Sequence, residues 1–203
     1  MIIALTGQRR VGKSYIIRQL ADEIEAHHPD ANIIYINKEK TKFADIRNAD
    51  DLSTYINNKL IDGGENYLLI DEVQDIDGFE VVLRSLNADE ECNIVVTGSN
   101  AKMLSSELST YLGGRYIEIH IQSLSYREFL TFHNLDDSDE SLQKYLEYGG
   151  LPHLYRIGLE NDDMVWEYIQ NIYNTIVLKD VVKREGLRNV TLFENLIDRK
   201  SVV

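Results

Sequence analysis

The chain is poor in cysteine, proline, tryptophan and positive charge. Its single cysteine, Cys92, excludes an internal disulfide. Cys92 lies beside an apolar run and reads as a small core residue. The two prolines, Pro29 and Pro152, occur without any Pro/Gly/Ser-rich stretch, which excludes a long flexible linker. Lys and Arg number 21 against 34 Asp and Glu, a formal net charge of −13. That balance argues against wrapping nucleic acid, because such binding neutralises phosphates with a basic footprint. It leaves room only for a local basic strip. No apolar run reaches membrane-spanning length, and no charged-then-apolar leader is visible. A cytoplasmic location with reduced thiols is the expectation.

What is present is a regular alternation. Short apolar runs read as strands at Ile2–Thr6, Asn32–Asn37, Tyr67–Asp71, Asn93–Thr97 and Tyr116–Ile121. Segments with apolar residues at helical spacing lie between them, at Ser14–His27, Ala49–Ile61 and Phe79–Asn87. Strand–helix alternation predicts an α/β fold: a parallel sheet with helices on both faces and strands buried on both faces. The texture changes near Gln122–Ser125. Beyond it Ser125–Phe132, Glu140–Tyr148, Asp163–Val177 and Val190–Asp198 read as helices. Residues 136–140 form an acidic connection that caps the next helix. The expected organisation is therefore residues 1–123 as the core and 124–203 as a helical lid plus the start of a truncated C-terminal region. Both ends look cut, and the chain is expected to be a piece of a longer protein.

The first strand runs into Gly7-Gln8-Arg9-Arg10-Val11-Gly12-Lys13-Ser14, followed by Tyr15 and a helix. This fits G-x-x-x-x-G-K-[ST]. Phosphates carry several negative charges, and backbone N–H groups at a helix N-terminus make a concave set of donors for them. Gly7 and Gly12 permit backbone angles and a close approach that a Cβ would block. Lys13 is placed to reach the β- and γ-phosphates, and the Ser14 hydroxyl to ligate Mg²⁺. Gln8, Arg9, Arg10, Val11 and Tyr15 complete the candidate nucleotide-binding set.

The third strand ends in Asp71-Glu72. Asp71 is the candidate for the Mg²⁺ shell, and Glu72 the candidate general base or water-orienting residue. Thr97-Gly98-Ser99-Asn100 follows the fourth strand, at the sheet edge where ligands of open parallel sheets collect. Ser99 or Asn100 there either senses the γ-phosphate or caps the next helix. Arg115 precedes the fifth strand and is a candidate for stabilising phosphoryl charge in cis or from a neighbouring subunit, or else an ordinary surface arginine. Gly149-Gly150-Leu151-Pro152 is a turn within the helical part. His120, His133 and His153 lack metal-ligand spacing. Trp166, Tyr168 and Tyr173 read as a helix packing face.

Taken in order, the loop 7–14, LLIDEVQDIDGFE (68–80), VVTGSNAKML (95–104), LGGRYIEIHIQSLSYREFL (112–130) and YGGLPHLY (148–155) resemble a large group of prokaryotic AAA-type ATPases with a GxRRxGK[ST] loop. The resemblance covers nearly the whole chain. It implies a sheet in the order 5-1-4-3-2 and a helical lid. It implies Walker A roles for Lys13 and Ser14, Walker B roles for Asp71 and Glu72, and a sensor at Ser99 or Asn100. Gly150 and Pro152 match a GxP motif that touches adenine in related ATPases. Arg115 matches the box that carries the arginine finger in many AAA proteins. The family's N-terminal segment and its C-terminal, partner-recognising domain are not matched.

The reading that follows is a Mg²⁺-dependent ATPase module binding ATP and ADP, with an unidentified protein partner and with self-assembly left open. The alternatives are a slow nucleotide-gated switch or scaffold, and a DNA-associated ATPase, which the net charge disfavours. No guanine-reading NKxD is visible, since Asn37-Lys38-Glu39-Lys40 lacks the aspartate.

Overall fold

The computed structural model describes residues 1–98 and 113–176, and the chain divides into two compact units, Met1–Ser123 and Leu124–Val203. The first unit is built on β1 (Ile2–Thr6), β2 (Asn32–Asn37), β3 (Asn66–Asp71), β4 (Asn93–Thr97) and β5 (Tyr116–His120). They form one five-stranded sheet in the order β2-β3-β4-β1-β5, with every pairing parallel. This is the expected order read from the other edge.

Strand side chains alternate between faces, and each face has its own core. Ile3, Leu5, Ile33, Tyr35, Tyr67, Leu69 and Val95 pack with Ile17 and Ile24 of α1 (Lys13–His27). Ile2, Ala4, Ile34, Ile36, Leu68, Ile70, Ile94 and Val96 pack on the other side. Their partners are Leu52 and Ile56 of α2 (Ala49–Asn57) and Val82, Leu83 and Leu86 of α3 (Phe79–Ala88). Cys92 is buried in this second core, where desolvation pushes its thiol up to about 11. Unreactive packing at neutral pH follows.

Two expectations change. Helix α2 stops at Asn57 rather than Ile61. The buried Asn66 side chain takes the Ile61 backbone: Ile61 N donates to its Oδ1 at 3.1 Å, and its Nδ2 donates to Ile61 O at 2.9 Å. Those groups are then committed to a turn instead of a helix. Strand β5 is not buried on both faces, because it pairs only with β1 among the described residues. Ile117 and Ile119 on it are 49% and 44% exposed. Short 3-10 turns at Thr41–Phe43 and Val73–Asp75 were not anticipated.

The second unit holds α4 (Tyr126–His133), α5 (Asp139–Tyr148), a short α6 (Leu154–Ile157) and α7 (Asp162–Thr175) around Phe129, Tyr148, Leu154, Leu159 and Val165. Ser125 and Glu128 close a reciprocal capping box at the start of α4. Ser138 caps α5, with Asp139 and Glu140 in its first turn, as the acidic connection predicted. Helix α6 was missed because four residues are too few for a periodic signal. Of the aromatics assigned to a packing face, Tyr168 packs against this core. Trp166 and Tyr173 are largely exposed instead. The segment Val190–Asp198 lies outside the described residues. Among those described, no helix is long and apolar enough to cross a membrane.

Candidate functional site

The loop between β1 and α1 turns on three residues with positive φ: Gly7 (138°), Arg10 (70°) and Gly12 (105°). The two glycines answer different needs. A Cβ on Gly7 would overlap the carbonyl oxygen of Ile121, which follows β5 closely because Ile121 N donates to Thr6 O at 2.7 Å. A Cβ on Gly12 would meet open space, so there the backbone angle alone demands glycine. Val11 is buried and anchors the loop, whereas Gln8, Arg10 and Tyr15 are exposed and Arg9 and Ser14 are half-buried.

Lys13 is 3% exposed, and its Nζ donates to the carbonyls of Gly7 at 3.0 Å and Gln8 at 2.8 Å. The loop thus holds its own lysine ammonium by the backbone. Burial pushes this ammonium below its ordinary 10.5, the Glu72 and Asp71 carboxylates counter that shift, and Arg9 adds to it.

Asn37, Asp71 and Thr97 end β2, β3 and β4. Each follows by two residues an apolar side chain on the α1 face (Tyr35, Leu69, Val95), so all three share that face. They meet at the Asp71 carboxylate, which is fully buried. Asp71 Oδ1 accepts from Ser14 Oγ at 3.0 Å and from Thr97 Oγ1 at 2.6 Å. Asp71 Oδ2 accepts from Asn37 Nδ2 at 2.8 Å. A buried carboxylate needs such partners to offset its lost hydration. Glu72 follows in the left-handed region (φ 59°, ψ 54°), and its amide donates to Thr97 Oγ1 at 3.0 Å. The 3-10 turn after it brings the Gln74 side-chain amide onto the Glu72 carboxylate.

The structure therefore brings together Lys13, Ser14, Asp71 and Glu72 at the C-terminal edge of β1, β3 and β4. It does not bring Arg115 there. Parallel pairing sets Tyr116 opposite Ile2 and His120 opposite Thr6. Arg115 therefore lies at the N-terminal edge of the sheet, roughly 20 Å along the strand direction from the loop. A cis role for Arg115 is excluded by that placement. A cavity of about 640 Å³ also opens at this far edge, among Met1, Asn66, Cys92 and Arg115. Ser99 and Asn100 lie outside the described residues. Gly150 and Pro152 belong to the second unit. There Gly150 makes a close backbone approach: its carbonyl accepts from Leu124 N at 2.8 Å, and a Cβ on it would overlap the Leu124 carbonyl oxygen. That contact by itself accounts for the glycine. Sequence reasoning missed Asn37, Gln74 and Thr97. Their only signal was a polar residue closing, or just following, an apolar strand.

The donor set suits Mg²⁺. The Ser14 hydroxyl and the Asp71 carboxylate are hard oxygen groups side by side. Among the described residues no group of three or more His, Cys, Asp or Glu gathers to cage a metal. Mg²⁺ characteristically takes one or two protein oxygens and fills its shell with water and phosphate.

The family described as AAA domain matches residues 1–130. The chain belongs to this AAA family. Its sheet order and phosphate loop make it an AAA-type P-loop nucleotide-binding module. An uncharacterized protein of Haemophilus influenzae is 33% identical over 202 residues, covering 97% of this chain and 50% of that protein. An uncharacterized protein of Methanocaldococcus jannaschii is 32% identical, covering 93% of this chain and 44% of its own length. The AAA module thus spans about half the length of the curated relatives it matches. Among solved structures, Cdc6p from Pyrobaculum aerophilum superposes with a TM-score of 0.52 at 14% identity, covering 93% of this chain and 57% of Cdc6p. The S. cerevisiae Hsp104:casein complex gives 0.50 at 17% identity, covering 76% of this chain and 32% of that one. At these identities the likeness is one of fold.

Proposed function

We propose that this AAA module binds ATP with Mg²⁺ and hydrolyses it to ADP and phosphate. The observation that carries this reading is the 3.0 Å bond between the Ser14 hydroxyl and Asp71, formed beside a lysine ammonium held by its own loop. The backbone of residues 7–14 cradles the phosphates, and Lys13 offsets their charge. Ser14, with Asp71 behind it, holds Mg²⁺, which when bound neutralises phosphate oxygens. Glu72 orients the attacking water and accepts its proton. Ser99 or Asn100 senses the γ-phosphate. Gly150 and Pro152 contact the adenine. Arg115 acts on the nucleotide of a neighbouring subunit. The module works in the cytoplasm, and a protein partner is recognised through the rest of a longer chain.

The test is a pair of variants. Glu72→Gln keeps the shape and removes the base. It is expected to lower phosphate release by about 10²–10⁴-fold while leaving ATP affinity unchanged. Lys13→Ala is expected to weaken ATP binding and spare that of AMP. Wild-type turnover in Glu72→Gln removes Glu72 from the mechanism. Tight ATP binding without turnover in the wild-type chain favours a nucleotide-gated switch.

A further inference from the structure

The acids at the end of β3 are tied together by one atom outside that strand. Thr97 Oγ1 donates to Asp71 Oδ1 at 2.6 Å and accepts from the Glu72 amide at 3.0 Å. Thr97 is fully buried, and its donor and one of its acceptor positions are both in use. We propose that Thr97 is the positioning residue of this site, setting the Asp71 carboxylate and the Glu72 backbone with a single hydroxyl.

The proposal rests on the ATPase reading above and explains a feature that reading leaves open. Glu72 takes a left-handed backbone conformation (φ 59°, ψ 54°) that non-glycine residues adopt at a cost. Its N–H lies anti to the Asp71 carbonyl across their shared peptide plane. That carbonyl accepts from Lys38 N on the β2 side at 3.1 Å, so the N–H faces β4 and finds Thr97 Oγ1, which anchors Glu72 just where its backbone leaves the strand. Asp71 has other donors in Ser14 and Asn37, so loss of Thr97 leaves its charge partnered but loosens its orientation. The Glu72 amide loses its acceptor on the β4 side. Among the described residues no hydrogen bond joins Thr97 to the phosphate loop or to the Glu72 carboxylate, so its effect passes through the two acids.

Thr97→Val replaces the hydroxyl by a methyl at nearly constant volume. Phosphate release and binding of a fluorescent ATP analogue, with Mg²⁺ and with EDTA, are measured on the full chain. The expected result is a fall in kcat of about 10²-fold, the size of effect that small misplacements of reacting groups produce. The gain in analogue affinity on adding Mg²⁺ is lost, and affinity in EDTA stays as in wild type. Thr97→Ser restores both. Wild-type kcat in Thr97→Val while Glu72→Gln is inactive overturns the proposal and leaves the ATPase reading intact. So does a Thr97→Ser protein as impaired as Thr97→Val. Should Thr97→Val not fold by circular dichroism, Thr97→Cys, a poor donor, takes its place, and wild-type turnover there counts against Thr97. A wild-type chain that binds the analogue but releases no phosphate sinks the ATPase reading alone. The Mg²⁺-dependent gain, present in wild type and absent in Thr97→Val, then still decides the role of Thr97. Failure of the wild-type chain to bind the analogue overturns both.

Discussion

The Ser14 hydroxyl donates to Asp71 Oδ1 at 3.0 Å, joining the first turn of α1 to the end of β3. On the other side of the same carboxylate, Oδ2 accepts from Asn37 Nδ2. The Asn37 amide cannot turn over freely, because its Oδ1 already accepts from Glu39 N at 2.9 Å. In Asp71→Asn the new NH₂ group faces either the Asn37 NH₂ or the Ser14 and Thr97 hydroxyls, so a buried donor loses its acceptor in both orientations. The expected cost is about 1–3 kcal/mol of stability, together with loss of Mg²⁺-dependent ATP binding. Combining it with Asn37→Asp restores an acceptor opposite the new amide. Urea unfolding should then recover, while Mg²⁺ dependence should not, because the negative charge has moved away from Ser14.

Much of this site was legible because its chemistry is local. The loop 7–14 occupies consecutive residues between a strand and a helix, and Asp71-Glu72 closes an apolar run. Sheet order came from family resemblance, since parallel pairing leaves no mark in spacing. Asn37 and Thr97 were not legible as site residues. Each is a lone polar residue at a strand end, and only the pairing of β2, β3 and β4 gathers them on one carboxylate. The placement of Arg115 was equally hidden: it depends on β5 running parallel to β1, which puts the residue before β5 at the far edge. Helix α2 was read too long because Asn66, a strand residue, captures backbone groups at Ile61.

The two loop glycines should separate stability from binding. Gly7→Ala drives a methyl into the Ile121 carbonyl, with rigid backbone on both sides, and is expected to unfold the first unit or shift β5. Gly12→Ala meets open space and strains only its own backbone. It is expected to lose about 1–2 kcal/mol and remain folded, yet bind ATP poorly. Thermal melting beside calorimetric titration with ATP distinguishes them. Equal melting temperatures for the two would contradict the close approach at Ile121.

Arg115 should matter only between molecules. It is exposed at the edge of the sheet opposite the phosphate loop, so Arg115→Ala is expected to leave ATP affinity untouched. If it serves a neighbouring subunit, wild-type turnover per chain rises with protein concentration, and Arg115→Ala flattens that rise. A concentration-independent rate that the variant shares assigns Arg115 to the surface.

The second unit carries a pH dependence of its own. The His133 ring is tilted 45° to that of Phe129 with centroids 4.4 Å apart, and its Nε2 is buried with no hydrogen-bond partner among the described residues. Burial pushes its imidazole below the ordinary 6.5. In the unfolded chain His133 takes up a proton near that ordinary value, whereas in the folded unit it does so only at lower pH. Between the two values the unfolded state binds more protons, so stability rises with pH there. The stabilisation is present above 6.5 and is lost as the pH falls below it towards the folded value. Trp166, the single tryptophan, lies on α7 with its ring 5.9 Å from that of Tyr148, so its fluorescence reports on this unit. Urea unfolding followed at Trp166 is expected to show lower stability at pH 5 than at pH 7.5. His133→Phe keeps an aromatic ring against Phe129 and removes the titrating group, so the gap between the two pH values should narrow. Carboxylates elsewhere titrate alike in both proteins and cancel in the comparison. An unchanged gap would mean that His133 is protonated as readily in the folded unit as outside it.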